Sequence, residues 1–338
     1  MHRTDKIKNF IKKQVINNPS NIVAMTASHF SVSRTTVLRH MQTLINQGEI
    51  IKTGTAKQVC YTQPDTLNQL YTFDLNNTFD ESIAFDQNLK KPITKYGSKA
   101  CLDLCEYTIT KIFNNAKDHS KGKIVKLAFE IDQKNIHLSC HDNGIGVFKN
   151  LQQHLGFPDT RTTLLELSKG KLTSDPVNHT GEGLFFSARA MDIFTLSANG
   201  FTFLRDNTVR DWTLFEEKTE PGTKLKMSIA RNTSRSLNDL FIEYQDDDSF
   251  AFSKTEVHIA LAQEHGQRLI SRSQAKRVVS NLDKFSVVTL DFKHVNLVGQ
   301  GFVDQVFRVF QNANPSIQLK CINANDDVAF MIKRSLNH

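Results

Sequence analysis

Long apolar runs are missing from this sequence, so no stretch of it can span a bilayer. Its opening, Met1-His2-Arg3-Thr4-Asp5-Lys6, lacks the apolar core of a secretory signal, and a cytosolic protein with no membrane partner is the expectation. Cysteine is scarce. The five present (Cys60, Cys101, Cys105, Cys140, Cys321) are odd in number and scattered, which excludes a disulfide framework. Cys101 and Cys105 could seed a metal site, but no second pair or suitable His cluster stands beside them. Reduced thiols packed on helix and strand faces are expected instead.

Acidic residues are almost absent from one region. Residues 1–63 hold nine Lys/Arg against Asp5 and Glu49, a net +7 that equals the charge of the whole chain, so the remainder is balanced. A basic excess confined to one segment is the electrostatic footprint of a nucleic-acid binder. The 338 residues are too many for one ordinary core and suit two or three domains. A hydrophobic content of 39% with 24 Phe is ample to pack them.

The basic segment reads as three helices and two strands. Ile7, Phe10, Ile11, Val15 and Ile16 give Lys6–Asn17 an apolar face, and Asn18-Pro19-Ser20 breaks it. A second helix is predicted over Ile22–Phe30. Ser33 is placed to cap a third, Arg34–Gln47, which should bury Val37, Leu38, Met41, Leu44 and Ile45 and end at Gly48. Strands are expected at Glu49–Ile51 and Gln58–Thr62, around a polar loop containing Gly54. This pattern resembles the winged helix-turn-helix of bacterial transcription regulators over residues 1–64. The resemblance implies that Arg34, Thr35, Thr36 and Arg39 enter the major groove of double-stranded DNA, with Lys52 and Lys57 on its backbone. A protein-interaction role is the alternative use of such a module.

Three short pieces organise the middle of the chain: Asn114-Asn115-Ala116-Lys117-Asp118-His119-Ser120 closing an amphipathic run, Asp142-Asn143-Gly144-Ile145-Gly146 after an alternating strand, and Thr180-Gly181-Glu182-Gly183-Leu184 opening a helix. In this order they resemble the N, G1 and G2 boxes of the GHKL ATPase superfamily, which includes gyrase, MutL and the histidine kinases. The chemistry asks for these residue types. The Asn115 amide oxygen can ligate Mg²⁺, a hard cation that shares its shell with phosphates. The Asp142 carboxylate can accept from an adenine amino group. Gly144 and Gly146 let backbone approach a ligand, and Gly181 and Gly183 at a helix start can present N–H groups to phosphate. The resemblance adds Asp118, His119, Leu184 and Thr223 (after Gly222) to the ATP set, with ATP and Mg²⁺ as cofactors. It also makes Phe148–His179, interrupted by Pro158 and Pro176, a mobile lid.

One position departs from the active members. Relatives with a general base carry Glu one helical turn before the metal-binding Asn; here Lys111 stands there, and an ammonium cannot accept a proton. Glu106, nine residues before Asn115, points off the pocket face and is a poor substitute. ATP binding is expected and hydrolysis is not. His119 and His141 flank the boxes, but no separate phosphotransfer helix pair accompanies them.

Residues 65–97 read as a connector with a short helix over Asp80–Leu89 and a loop at Lys91-Pro92. Further strands are expected at Thr195–Leu204, Trp212–Glu217 and Lys224–Ile229. Beyond the acidic linker Asp246–Asp248, short strands at Ala251–Phe252 and Glu256–Ile259 lead into an alternation: helix Gly266–Val279, strand Val287–Phe292, helix Gly301–Phe310, strand Ile317–Ile322 and helix Asp326–Leu336. Val288–Phe292 followed by Val298-Gly299-Gln300-Gly301 resembles a STAS-like domain, but no Ser stands where such domains are phosphorylated. The expected fold is multidomain α+β: winged helix 1–64, connector 65–97, GHKL α/β sandwich 98–232, small STAS-like α/β domain 246–338. The expected function is an ATP-responsive DNA-binding transcription regulator, a homodimer on its DNA, with a regulatory protein as a further partner through the STAS-like part. Its rivals are a serine/threonine (anti-sigma-type) kinase or ATPase in a partner-switching pathway, and a binding module whose pocket holds no nucleotide.

Overall fold

The computed structural model describes residues 3–15, 17–54, 59–62, 67–172, 180–246, 249–263 and 268–336. Two compact units emerge: residues 1–70 with 128–137, and residues 71–127 with 138–338.

In the first unit, α1 (Arg3–Gln14), α2 (Ile22–Phe30) and α3 (Arg34–Asn46) are followed by an antiparallel hairpin, β1 (Ile51–Thr53) with β2 (Cys60–Thr62). Ile7 and Ile11, one turn apart on α1, meet Ile22, Val37, Met41 and Leu44 in a continuous core. The Ser33 hydroxyl caps α3 by accepting the Thr36 N–H at 3.1 Å, as expected. Leu38 departs from expectation and is 46% exposed. The stripe runs through Val37, Met41 and Leu44, and Leu38 lies a hundred-odd degrees round the helix from Val37. The first strand begins at Ile51, not Glu49, because the Glu49 N–H still bonds the Leu44 carbonyl as the chain leaves α3.

A seven-stranded sheet follows the order β3 (Leu67–Asp74), β4 (Ile124–Ile131), β5 (Asn135–Asp142), β9 (Thr223–Ala230), β6 (Ile193–Ala198), β7 (Phe201–Asp206), β8 (Asp211–Glu216). Every second residue of β4 and β5 is buried, the period-two signature of a sheet with one face on the core. Thus the expected connector contributes an edge strand, β3. After it, α4 (Glu81–Phe85) runs through a π-helical turn (Asp86–Lys90) into α5 (Lys91–Tyr96), so Lys91-Pro92 is helical and not a loop. Pro92 sits directly after the π-helical turn, where the regular i→i−4 ladder that a proline interrupts is already broken. The long α6 (Lys99–His119) is capped by Ser98 and buries Leu102, Cys105, Ile109, Ile112 and Phe113.

The expected lid is built differently. Its described part forms α7 (Val147–Leu155) and α8 (Thr160–Lys169), which bury Phe148, Leu151, Leu164 and Leu165; residues 173–179, with Pro176, lie outside the described residues. Pro158 precedes Asp159, whose carboxylate caps α8, so it introduces a helix where an interruption was expected. After α9 (Gly183–Ala190), the expected single strand over Thr195–Leu204 is the hairpin β6–β7. Its turn, Asn199-Gly200, takes positive φ at both residues (48° and 88°), the geometry that matches strand twist in a two-residue loop.

Beyond α10 (Leu237–Tyr244), β10 (Lys254–His258), β11 (Val287–Asp291) and β12 (Gln318–Ile322) form a parallel sheet in that order. It carries α11 (Arg272–Val279), α12 (Gln300–Val303) continuing through a π-helical stretch (Asp304–Phe310) into α13 (Gln311–Ala313), and α14 (Asp326–Leu336). The expected strand Ala251–Phe252 reduces to one bridge, Phe252 with Gln245. Helix α11 begins at Arg272; Gly266 lies outside the described residues. All five cysteines are free; Cys101, Cys105 and Cys140 are buried, while Cys321 on β12 is exposed. Among the described residues no helix is long and apolar enough to cross a membrane.

Candidate functional site

A cavity of about 260 Å³ opens in the second unit where α6, α7, α9, β5 and β9 converge. Asp142, the last residue of β5, is 7% exposed. Its Oδ1 accepts the Gly144 N–H at 2.9 Å and the Thr223 N–H at 3.2 Å. Burial pushes its pKa above the ordinary carboxylate range, and these two hydrogen bonds oppose that rise. Two glycines are required for this arrangement. A β-carbon at Gly222 would lie 1.9 Å from the Asp142 carbonyl oxygen, and one at Gly144 would lie 2.1 Å from the Ser120 carbonyl oxygen. Either substitution would force β9 or the end of α6 away from the carboxylate. Thr223 also accepts the Val147 N–H through its hydroxyl, tying β9 to the start of α7.

Around this floor the walls are apolar, formed by Val147, Leu151, Leu196 and Leu225 among others. Farther along, Asn115 and His119 project from the last turns of α6, facing Thr180, Gly181, Gly183 and Leu184 at the start of α9. Lys111 joins them on the cavity lining, with its Cδ 3.5 Å from where a β-carbon at Gly183 would stand. Glu182, between the two glycines, has its carboxyl pushed up by burial, against the nearby charges of Lys171 and Lys111.

Seven of the residues expected to bind ATP (Asn115, His119, Asp142, Gly181, Gly183, Leu184, Thr223) line this one cavity. Three do not. Asp118, on the last turn of α6, is exposed and does not line the cavity. Gly144 holds the Asp142 carboxylate through its N–H, and Gly146 caps α7. Both shape the loop without lining the cavity. His141 also faces elsewhere, with Nε2 2.9 Å from the Pro221 carbonyl.

Sequence reasoning missed Asn150. It is 3% exposed, lines the cavity, and its Oδ1 has no hydrogen-bond partner. The available signal was a polar residue set between Phe148 and Leu151 on an otherwise apolar helix face. Buried acceptors are nearly always paired, so an unpaired one at a cavity wall invites a donor from a ligand.

In the first unit, Arg34, Thr35 and Arg39 are exposed on α3, and Thr36 is half-buried with its hydroxyl 2.9 Å from that of Ser33. Lys52 is exposed on β1, opposite Tyr61. Lys57 lies outside the described residues.

Residues 274–329 match the family described as a STAS-like domain of unknown function (DUF4325). The match spans α11 to α14 and includes β11 and β12, so the C-terminal part of the chain is STAS-like. Among curated proteins, none matches the chain.

Proposed function

We propose that the protein is an ATP-responsive, DNA-binding transcription regulator in which ATP·Mg²⁺ binds the cavity between α6 and α9. The observation that carries this reading is Asp142: a buried carboxylate, oriented by two backbone N–H groups, at the floor of an apolar-walled cavity. A purine amino group satisfies such an acceptor, and the leucines and valine around it suit the base. The donor set fits the rest of the cofactor. Asn115 would offer Mg²⁺ one amide oxygen, leaving the other positions to phosphate and water. The N–H groups at Gly183 and Leu184 would face the phosphates, with Lys111 beside them as a charge partner. Bound there, ATP·Mg²⁺ would supply a polyanion, which Lys111 on α6 and the N–H groups at the start of α9 would face.

Lys111 separates this reading from the kinase and ATPase alternatives. It stands where a general base would be needed, and an ammonium has no lone pair to take a proton. The exposed face of α3 and the +7 charge of residues 1–63 supply the DNA-binding half of the proposal. Two copies reading two half-sites would make the protein a homodimer on DNA, which light scattering with and without DNA tests. Response to ATP requires that the nucleotide favour one arrangement of the chain over another.

The test is DNA binding by the full chain to its own upstream region, with and without ATP·Mg²⁺, while ADP is monitored. A nucleotide-dependent change in affinity without ADP release is expected. Binding indifferent to ATP would overturn the coupling, and steady ADP release would favour the enzyme reading.

A further inference from the structure

A second cavity, of about 730 Å³, lies in the same unit between the β7–β8 side of the large sheet and one face of the parallel sheet. Its register explains its polarity. Lys254, Glu256 and His258 alternate along β10; their partners Val287, Thr289 and Asp291 alternate along β11; Lys320 and Ile322 continue the row on β12. The opposite face of these strands supplies Val257, Val288 and Leu290 to the core. A parallel sheet is ordinarily covered by apolar contacts on both faces. This one turns a charged face toward an open volume.

The far wall brings Arg189 from α9, Arg205 from β7, Trp212 from β8 and Arg235 from the approach to α10. The Nε–H groups of Arg189 and Arg235 and the indole N–H of Trp212 are buried with no acceptor. All three are donors that cannot accept. The lining as a whole carries seven Arg or Lys against five Asp or Glu, with Asp211, Asp239 and Glu243 among the latter and Arg235 already paired with Asp192, so a small positive excess stands beside donors that are costly to leave unpaired.

At the centre, the Arg205 guanidinium reaches His258 Nε2 at 3.0 Å and Glu256 Oε2 at 3.4 Å, while His258 Nδ1 lies 3.0 Å from Asp291 Oδ2. Because arginine can only donate, Nε2 must accept, and the imidazole is neutral with its proton on Nδ1 facing Asp291. Glu256, His258 and Asp291 have ligand atoms close enough together for a metal ion, but Arg205 already supplies their cation. Burial lowers the guanidinium's pKa to about 10, the neighbouring charge of Arg189 adding to the effect.

We propose that this cavity is a binding site for a small-molecule oxyanion, a carboxylate or phosphate carried on a partly apolar body. Lys320 and Arg210 stand exposed at its edge to draw such an anion in, and Val209 and Ile322 offer the body apolar contact. The volume is in the range of small-molecule sites. The inference does not depend on nucleotide binding in the first cavity.

The test uses the full chain in Mg²⁺-free buffer, titrated separately with inorganic phosphate and citrate and followed by thermal unfolding against sodium chloride of equal ionic strength. Stabilisation of a few degrees by at least one of them is expected, reduced at least fivefold in apparent affinity by Arg210→Met combined with Lys320→Met. These exposed positions leave the core untouched, so loss of response cannot be ascribed to misfolding. Lys111→Met, in the first cavity, should keep the response. Citrate alone, or phosphate alone, would identify which head group the site takes. No stabilisation beyond the salt control, a response surviving the double variant, or one lost in Lys111→Met would each overturn the proposal.

Discussion

The two cavities of the second unit use buried polarity in opposite senses. The first presents acceptors: the Asp142 carboxylate and the unpaired Oδ1 of Asn150. The second presents donors: the unpaired N–H groups of Arg189, Arg235 and Trp212 around a buried Arg205. Each imbalance names the ligand that would cancel it, an amino-bearing base in one case and an oxyanion in the other. A cavity's chemistry is thus legible in the groups it leaves unpaired, since the paired ones have already spent their capacity inside the fold.

The contrast can be broken most forcefully at Arg205. Arg205→Met removes the cation that Glu256 and His258 share, leaving the half-buried Glu256 carboxylate and the buried His258 acceptor without it. We expect a loss of about 3 kcal/mol or more of stability, read from urea denaturation. Unchanged stability would mean that the cluster is hydrated and that the donor surplus is not buried.

Next in size is Asp142→Ala, which should weaken ATP binding by roughly 100-fold in a calorimetric titration, as expected for a hydrogen bond to a charged acceptor together with the loop it holds. Smaller and opposite in sign are the substitutions that delete an unpaired atom without removing a partner. Asn150→Leu and Trp212→Phe should each leave the ligand-free protein as stable or more stable by about 1 kcal/mol. Only Asn150→Leu should weaken nucleotide binding, and an effect of Trp212→Phe on ATP affinity would blur the separation of the two cavities.

The smallest effect is the pH dependence of His258. Burial lowers its pKa below the unfolded value of about 6.5, opposed by its hydrogen bond to Asp291 and by Glu256, and reinforced by Arg205 and Arg189. Below pH 6.5 the unfolded chain therefore binds a proton that the folded chain refuses. This contribution to stability is complete above about 6.5 and declines as pH falls from there toward the folded pKa. His258→Gln should flatten that part of a melting-temperature profile.

Much of the first cavity was legible because its parts are short and local. Asn115 to Ser120, Asp142 to Gly146 and Thr180 to Leu184 each fall within one helix turn or one loop, where residue type and spacing carry the chemistry. Asn150 escaped because its importance comes from having no partner, a property of the surroundings and not of the residue. The helical turn at Lys91-Pro92 and the helices α7 and α8 escaped because prolines and polar residues suggest breaks, although Val147, Phe148, Leu151 and Leu155 already stand at helical spacing on α7. Asn199-Gly200 was readable as a hairpin turn, since Thr195, Ser197 and Thr202 alternate with apolar residues on either side of it.

By itself the sequence determined the concentration of charge in residues 1–63, the helices of the first unit, the STAS-like character of residues 274–329 and the local boxes around the first cavity. These depend on near neighbours, for which helical and strand periods are sufficient guides. Only the tertiary structure decided the second cavity. Arg205 and His258 are 53 residues apart, and Asp291 lies a further 33 beyond, yet their hydrogen bonds are 3.0 Å long. Which strand faces which, and hence which buried donors remain without acceptors, follows from sheet order and packing across the whole unit, and no local pattern encodes it.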